Sequence, residues 1–278
     1  MSAPHTTMPA PSSRFARQHP DAPWTWAVLG TVAGLLVALL FWAPAQWLAW
    51  GVAQASQNRV VLQSVRGSVW NGSAQLLLSG GAGSRDAQAL PGRVHWKIQP
   101  GWLSAKLSLN ADCCMAEPTH WTARADGTTL RLNNNNHRSQ WPAVLLSGLG
   151  APWNSLQATG QLTLQTQALA LQWDAGRLLV QGQIELQAQQ MASRLSTLKP
   201  MGSYRIVLRG TPEGSPTPEL LLSTTQGPLQ LTGQGQWVGA RLRFTGEASA
   251  EEGSESALNN LLNIIGRRQG GKSLLSLG

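Results

Sequence analysis

Hydrophobic and polar positions follow two different rules along this chain. Over residues 24–50 the chain is almost continuously apolar, with Thr25, Thr31 and Gln46 as the polar exceptions apart from Trp, and no charge lies between Asp21 and Arg59. A helix that crosses a bilayer needs about 20 mainly apolar residues. Residues 25–41 with their neighbours supply that length, and Pro44 is expected to end or kink the helix. Beyond residue 59 the period changes to two. Val94, Trp96 and Ile98 alternate with His95, Lys97 and Gln99, then Pro100-Gly101 turns the chain into Ala105, Leu107 and Leu109. Such alternation predicts half-buried strands. It recurs over 160–165, 169–173, 177–186, 204–209, 220–224, 229–236 and 241–247. Asp126-Gly127 and Asp174-Ala175-Gly176 read as hairpin turns.

Two segments break the alternation. Residues 142–149 are apolar, with Pro142 first and Gly148 and Gly150 at the end, and predict one short helix. Leu258, Leu261, Leu262 and Ile265 stand at helical spacing, with Gly266 to stop the helix. The expected fold is therefore mainly β. One N-terminal transmembrane helix is followed by a single large antiparallel sheet domain with one or two short helices. Residues 1–23, rich in Pro, Ser and Ala, form a disordered tail; 24–50 form the anchor; 51–278 form the β-rich body.

The flanks give the anchor a direction. Arg14 and Arg17 precede it, opposed only by Asp21, and the first cation after it is Arg59. Positive charge near a span stays cytoplasmic, and Trp24, Trp26, Trp42, Trp47 and Trp50 fit aromatic belts at its two ends. The tail is expected in the cytoplasm and the body on the far side. Ala53-Gln54-Ala55 has the small-x-small form of a signal cleavage site, but it lies well beyond the apolar core. Both readings export the body.

Composition narrows the function. Charged residues make up 12% of the chain, the net charge is +8, and Arg supplies 17 of the 21 cations. They are scattered rather than massed on one element, which argues against nucleic acid as a partner. Cys113 and Cys114 are adjacent and cannot build a disulfide framework. A strained bond between neighbours, two free thiols and an intermolecular link all remain open. His95 and His120 stand at spacings that give the thiols no metal partners, so no metal is expected. His137 is likewise isolated, and neither paired carboxylates nor a nucleophile motif appears, so no catalytic site is expected.

Gly266 to Ser273 matches G-x-x-x-x-G-K-[ST] in letters. A phosphate-binding loop needs a strand before it and a helix after it; here a helix precedes it and few residues follow, so no nucleotide is expected. Gly30 and Gly34 form a small-xxx-small pair able to bring two membrane helices close. Of 13 Trp, eight lie beyond the apolar run. Strands favour aromatics for packing, and an aromatic groove for a partner is the sharper alternative.

Three segments carry a family resemblance. The run from Val65 to Ala74 (VRGSVWNGSA), that from Trp141 to Asn154 (WPAVLLSGLGAPWN) and the tail from Leu258 to Gly278 (LNNLLNIIGRRQGGKSLLSLG) resemble protein N of the type II (general) secretion pathway. The resemblance implies an accessory inner-membrane subunit with one span and a periplasmic β domain. It supports export of folded proteins from the periplasm through contacts with other inner-membrane secretion subunits, without catalytic residues or cofactors. Trp70, Trp141 and Trp153 lie in the resembling segments and are candidate contact residues, with Gly30 and Gly34 in the span. The alternative is an AsmA-like anchored protein that handles lipid in an apolar sheet groove.

Overall fold

The computed structural model describes residues 24–126, 129–174, 177–210, 217–238 and 241–278. The N-terminal tail and the tips of the two expected hairpin turns lie outside the described residues. The chain divides into two units, residues 1–42 and 43–278.

In the first unit, α1 (Trp24–Phe41) is one helix of 18 residues. At 1.5 Å per residue it is about 27 Å long, just short of the roughly 30 Å of a bilayer's hydrocarbon core. Among the described residues, no helix is long and apolar enough to cross a membrane. The apolar run holds two helices rather than one. Pro44 is extended, at φ −67° and ψ 143°, and opens a second helix, α2 (Ala45–Ala55), which belongs to the other unit. Ala53-Gln54-Ala55 forms the last turn of α2.

The second unit is a sheet. Its strands are β1 (Val60–Gly67), β2 (Asn71–Ser79), β3 (Ala87–Ala89), β4 (Val94–Gly101), β5 (Ser104–Ala111), β6 (Thr119–Asp126), β7 (Thr129–Asn134) and β8 (His137–Pro142). A 3-10 helix η1 (Ala143–Leu149) and the single turn α3 (Trp153–Leu156) follow. The chain continues with β9 (Thr159–Asp174), β10 (Arg177–Ala192), β11 (Gly202–Arg209), β12 (Glu219–Gln226), β13 (Leu229–Val238) and β14 (Arg241–Ala250), then α4 (Glu255–Ile265), β15 (Arg267–Gln269) and β16 (Lys272–Leu277). All sixteen strands join one antiparallel sheet, nearly in chain order, with β1 and β15 at its edges. A meander of hairpins is what short turns between alternating strands produce.

Residues opposite each other across a ladder share a face. One such row reads Trp141, Leu162, Ala188, Tyr204 and Thr224, and continues through Leu231, Ala248 and Ser273. The row beside it on the opposite face reads Gln140, Thr163, Gln187, Arg205, Ser223, Thr232 and Glu247. The helices pack on the apolar face. Leu258, Leu261 and Leu262 of α4 are buried against Leu162, Ala188, Met191, Tyr204, Leu229 and Ala248. Ala45 of α2 is buried with Ala74 and Trp96, and Leu145 of η1 with Leu90, Val94 and Ala111. Burying one such Leu contributes about 1.5–3 kcal/mol. Gly148 lets η1 approach this closely: a Cβ there would lie 2.5 Å from the Leu78 carbonyl oxygen.

The alternation slips by one residue at several places in the described strands, one of them between Ser203 and Tyr204, and three others hold a left-handed residue. Ser64, Ala168 and Gln190 hold φ of 49°, 46° and 49°, and the strand register shifts beside each of them. Each is the extra residue of a β-bulge. The slips keep the apolar positions on one face: Leu62 is followed by Val65, Leu164 by Leu169, and Ala188 by Met191. The bulge at Ala168 joins into β9 what the alternation reads as two strands, 160–165 and 169–173. There β9 changes partner from β8 to β7, and Asn136 Oδ1 accepts a 2.8 Å bond from the Ala168 N–H.

The segment from Gly266 to Ser273 is a β-hairpin, with Arg267 opposite Leu274 and Gln269 opposite Lys272. Gly266 leaves α4 in extended backbone. The fully buried Ser273 hydroxyl donates 2.7 Å to the Leu262 carbonyl, tying the hairpin to the end of the helix.

Candidate interaction surface

Along β10 the residues Gln183, Glu185, Gln187 and Gln189 point to the face that no described helix of this unit covers. That follows from the strand period of two. Glu185, Gln187 and Gln189, with Gln140 and Gln161 before them and Ser203, Arg205, Thr225 and Gln226 after them, line a concavity of about 1200 Å³. Its lining is mostly side-chain amides and hydroxyls.

One ion pair organises the floor. Arg205 Nε donates 2.8 Å to Glu185 Oε1, and Nη2 donates 2.6 Å to Oε2. Gln187 Nε2 adds 2.7 Å to Oε1, and Gln189 Nε2 reaches Gln187 Oε1 at 3.3 Å. The Glu185 side chain is 6% exposed and that of Arg205 47%. A buried carboxylate needs this satisfaction. Hydrogen bonds from Arg205, and then from Gln187, hold the Glu185 carboxyl below its ordinary 4.5 despite burial. The pair cancels its own charge, so the trough presents neutral donors and acceptors.

Cys113 and Cys114 form a disulfide, which decides among the three open outcomes. Cys113 lies at the rim of the trough, and the Cys114 carbonyl accepts 2.8 Å from Gln140 N–H. Behind it, burial holds the His137 imidazole below its ordinary 6.5. Among the described residues, no three His, Cys, Asp or Glu side chains are grouped to hold a metal.

The five candidate contact residues lie in separate places. Gly30 and Gly34 sit on α1 with open space around them. Trp70 lies in the β1–β2 turn, where its carbonyl accepts 2.6 Å from Ile98 N–H. Trp141 packs half-buried between two core clusters and donates 2.8 Å from Nε1 to Ser139. Trp153 opens α3, beside η1, and is exposed. In the sequence the trough residues show only as polar positions at period two in β10, a pattern shared with any solvated strand.

The comparison that decides the family covers nearly all of the sheet. The model of type II secretion system (T2SS), protein N, matches residues 58–274. The chain belongs to that family. No curated relative and no solved structure matches it. As a member of the protein N family it is a component of the type II secretion system, an envelope assembly, and its partners include other subunits of that system.

Proposed function

We propose that this chain is an accessory, noncatalytic inner-membrane subunit of the type II secretion system. Its β body stands in the periplasm and supports export of folded proteins by binding other subunits. The observation that carries this is the family match across residues 58–274, which runs from the edge of the sheet at β1 into β16. The apolar run over 24–50, uncharged from Asp21 to Arg59, supports an anchor with the N-terminus in the cytoplasm. In this reading α1 is the core of the span, and Gly30 and Gly34 offer a face to a partner helix.

The contact surface of the body is the helix-free trough. Amides and hydroxyls over an internally neutralised ion pair suit the polar surface of another protein. The same lining does not suit an acyl chain, which weighs against the lipid-handling alternative. Trp70 and Trp153 are further contact candidates at other points of the body.

Two experiments test the proposal. Deleting residues 24–278 stops a secreted enzyme from reaching the medium and leaves envelope lipids unchanged; altered lipids with intact secretion would turn the reading to the alternative. An alkaline phosphatase fused after Gly278 is active and one fused near Ser13 is not; the reverse pattern overturns the topology.

A further inference from the structure

The β4–β5 hairpin ends in two large apolar side chains. Gly101 and Ser104 pair across it, leaving Trp102 and Leu103 as the turn. Trp102 is 95% exposed and Leu103 68%. Leu103 holds φ of 58°, a backbone state that favours Gly or Asn and that a bulky side chain rarely adopts. The turn thus keeps an outward apolar residue where turn chemistry prefers another.

Cations scattered in the sequence gather behind this tip. Lys97 and Lys106 lie on the hairpin itself, Arg124 stands opposite Ser104, and Arg131 stands opposite Arg124. All four are on the helix-free face. Asp126 is the only acidic residue in β4, β5, β6 and β7. The chain also enters the body at this end. Ala43 O accepts 2.9 Å from Val69 N–H, Pro44 bridges Ser68, and Trp70 O bonds Ile98 N–H. Ile98 precedes Gly101 by roughly 10 Å of strand. Trp47 and Trp50 of α2 are exposed as well.

We infer that the Trp102–Leu103 tip inserts into the interface of an anionic bilayer, with Lys97, Lys106 and Arg124 against the headgroups. An aromatic and an aliphatic side chain backed by cations is the composition that holds a segment at a charged membrane surface. A bilayer takes up such a projecting apolar tip without a complementary pocket for either side chain. The inference rests on the anchor reading only for which membrane lies near; the tip's chemistry stands by itself. Such docking gives the body a second point of attachment and fixes which end faces the membrane.

The test uses the full chain in vesicles, with a nitroxide on Leu103→Cys and, separately, on Ser223→Cys. The native cysteines are bridged and do not compete for label. With a third of the lipid as phosphatidylglycerol, the label at 103 lies about 5–10 Å below the headgroup boundary, protected from an aqueous nickel complex and open to oxygen. It is shallower in phosphatidylcholine alone, and the label at 223 remains aqueous in both. A label at 103 as open to nickel as the one at 223 in both vesicle types overturns the inference. So does protection that arises only when another secretion subunit is added. Carbonate extraction of the same vesicles reads the anchor separately: a retained chain with an aqueous label at 103 defeats the docking and keeps the anchor, while an extracted chain whose label had been inserted does the reverse.

Discussion

The two faces of the sheet are built from the same strands and do opposite work. On one, Leu162, Ala188, Leu229 and Ala248 lie under α4, and the fold draws its stability from that burial. On the other, Gln187, Arg205, Ser223 and Thr232 meet no described helix of the same unit. The difference teaches that in a sheet meander the polar alternates can be more than a solvated surface. Here the polar face is also concave and holds a buried, paired carboxylate, an order that solvation alone does not require.

The largest expected effect tests the covered face. Leu262→Ala removes a fully buried side chain from under the helix and costs about 3 kcal/mol, read by denaturant unfolding of the full chain in detergent. A loss near zero would mean that α4 does not hold the sheet.

The exception on the open face comes next. Glu185→Gln leaves Arg205 without its charged partner and costs about 2 kcal/mol. The sign of its pH dependence is fixed. The folded carboxyl titrates below the unfolded one, so its stabilisation is complete above pH 4.5 and fades as the pH falls through the lower folded value. The stability gap between Glu185→Gln and the parent chain therefore narrows below pH 4.5. A gap that widened on acidification would contradict the ion pair.

The smallest effect is the sharpest. Gln226→Ala and Gln189→Ala change stability by less than about 0.5 kcal/mol, yet each lowers the yield of secreted enzyme in the medium. Unchanged secretion from the double variant would move the contact surface off the trough.

Much of this comparison was legible in the residues. Alternation located most of the strands but not β3, β8, β15 or β16, and helical spacing located α4 with its buried Leu258, Leu261 and Leu262. The short 142–149 helix is present in 3-10 form. What alternation obscured were the bulges. A slip such as Leu164 to Leu169 looks like the end of one strand and the start of another, because pairing with β8 and then β7 is not encoded locally. The trough was hidden for a related reason. Gln187 on β10 and Arg205 on β11 are distant in sequence, and only register sets them side by side. The scattered cations of β4 to β7 became a cluster in the same way.

Site-specific photocrosslinking in secreting cells tests the central claim most directly. A crosslinker at Gln189 or Gln226 captures another subunit of the secretion system, while one at Asn260, exposed on α4 above the opposite face, does not. Crosslinks from Asn260 with none from the trough would contradict the account.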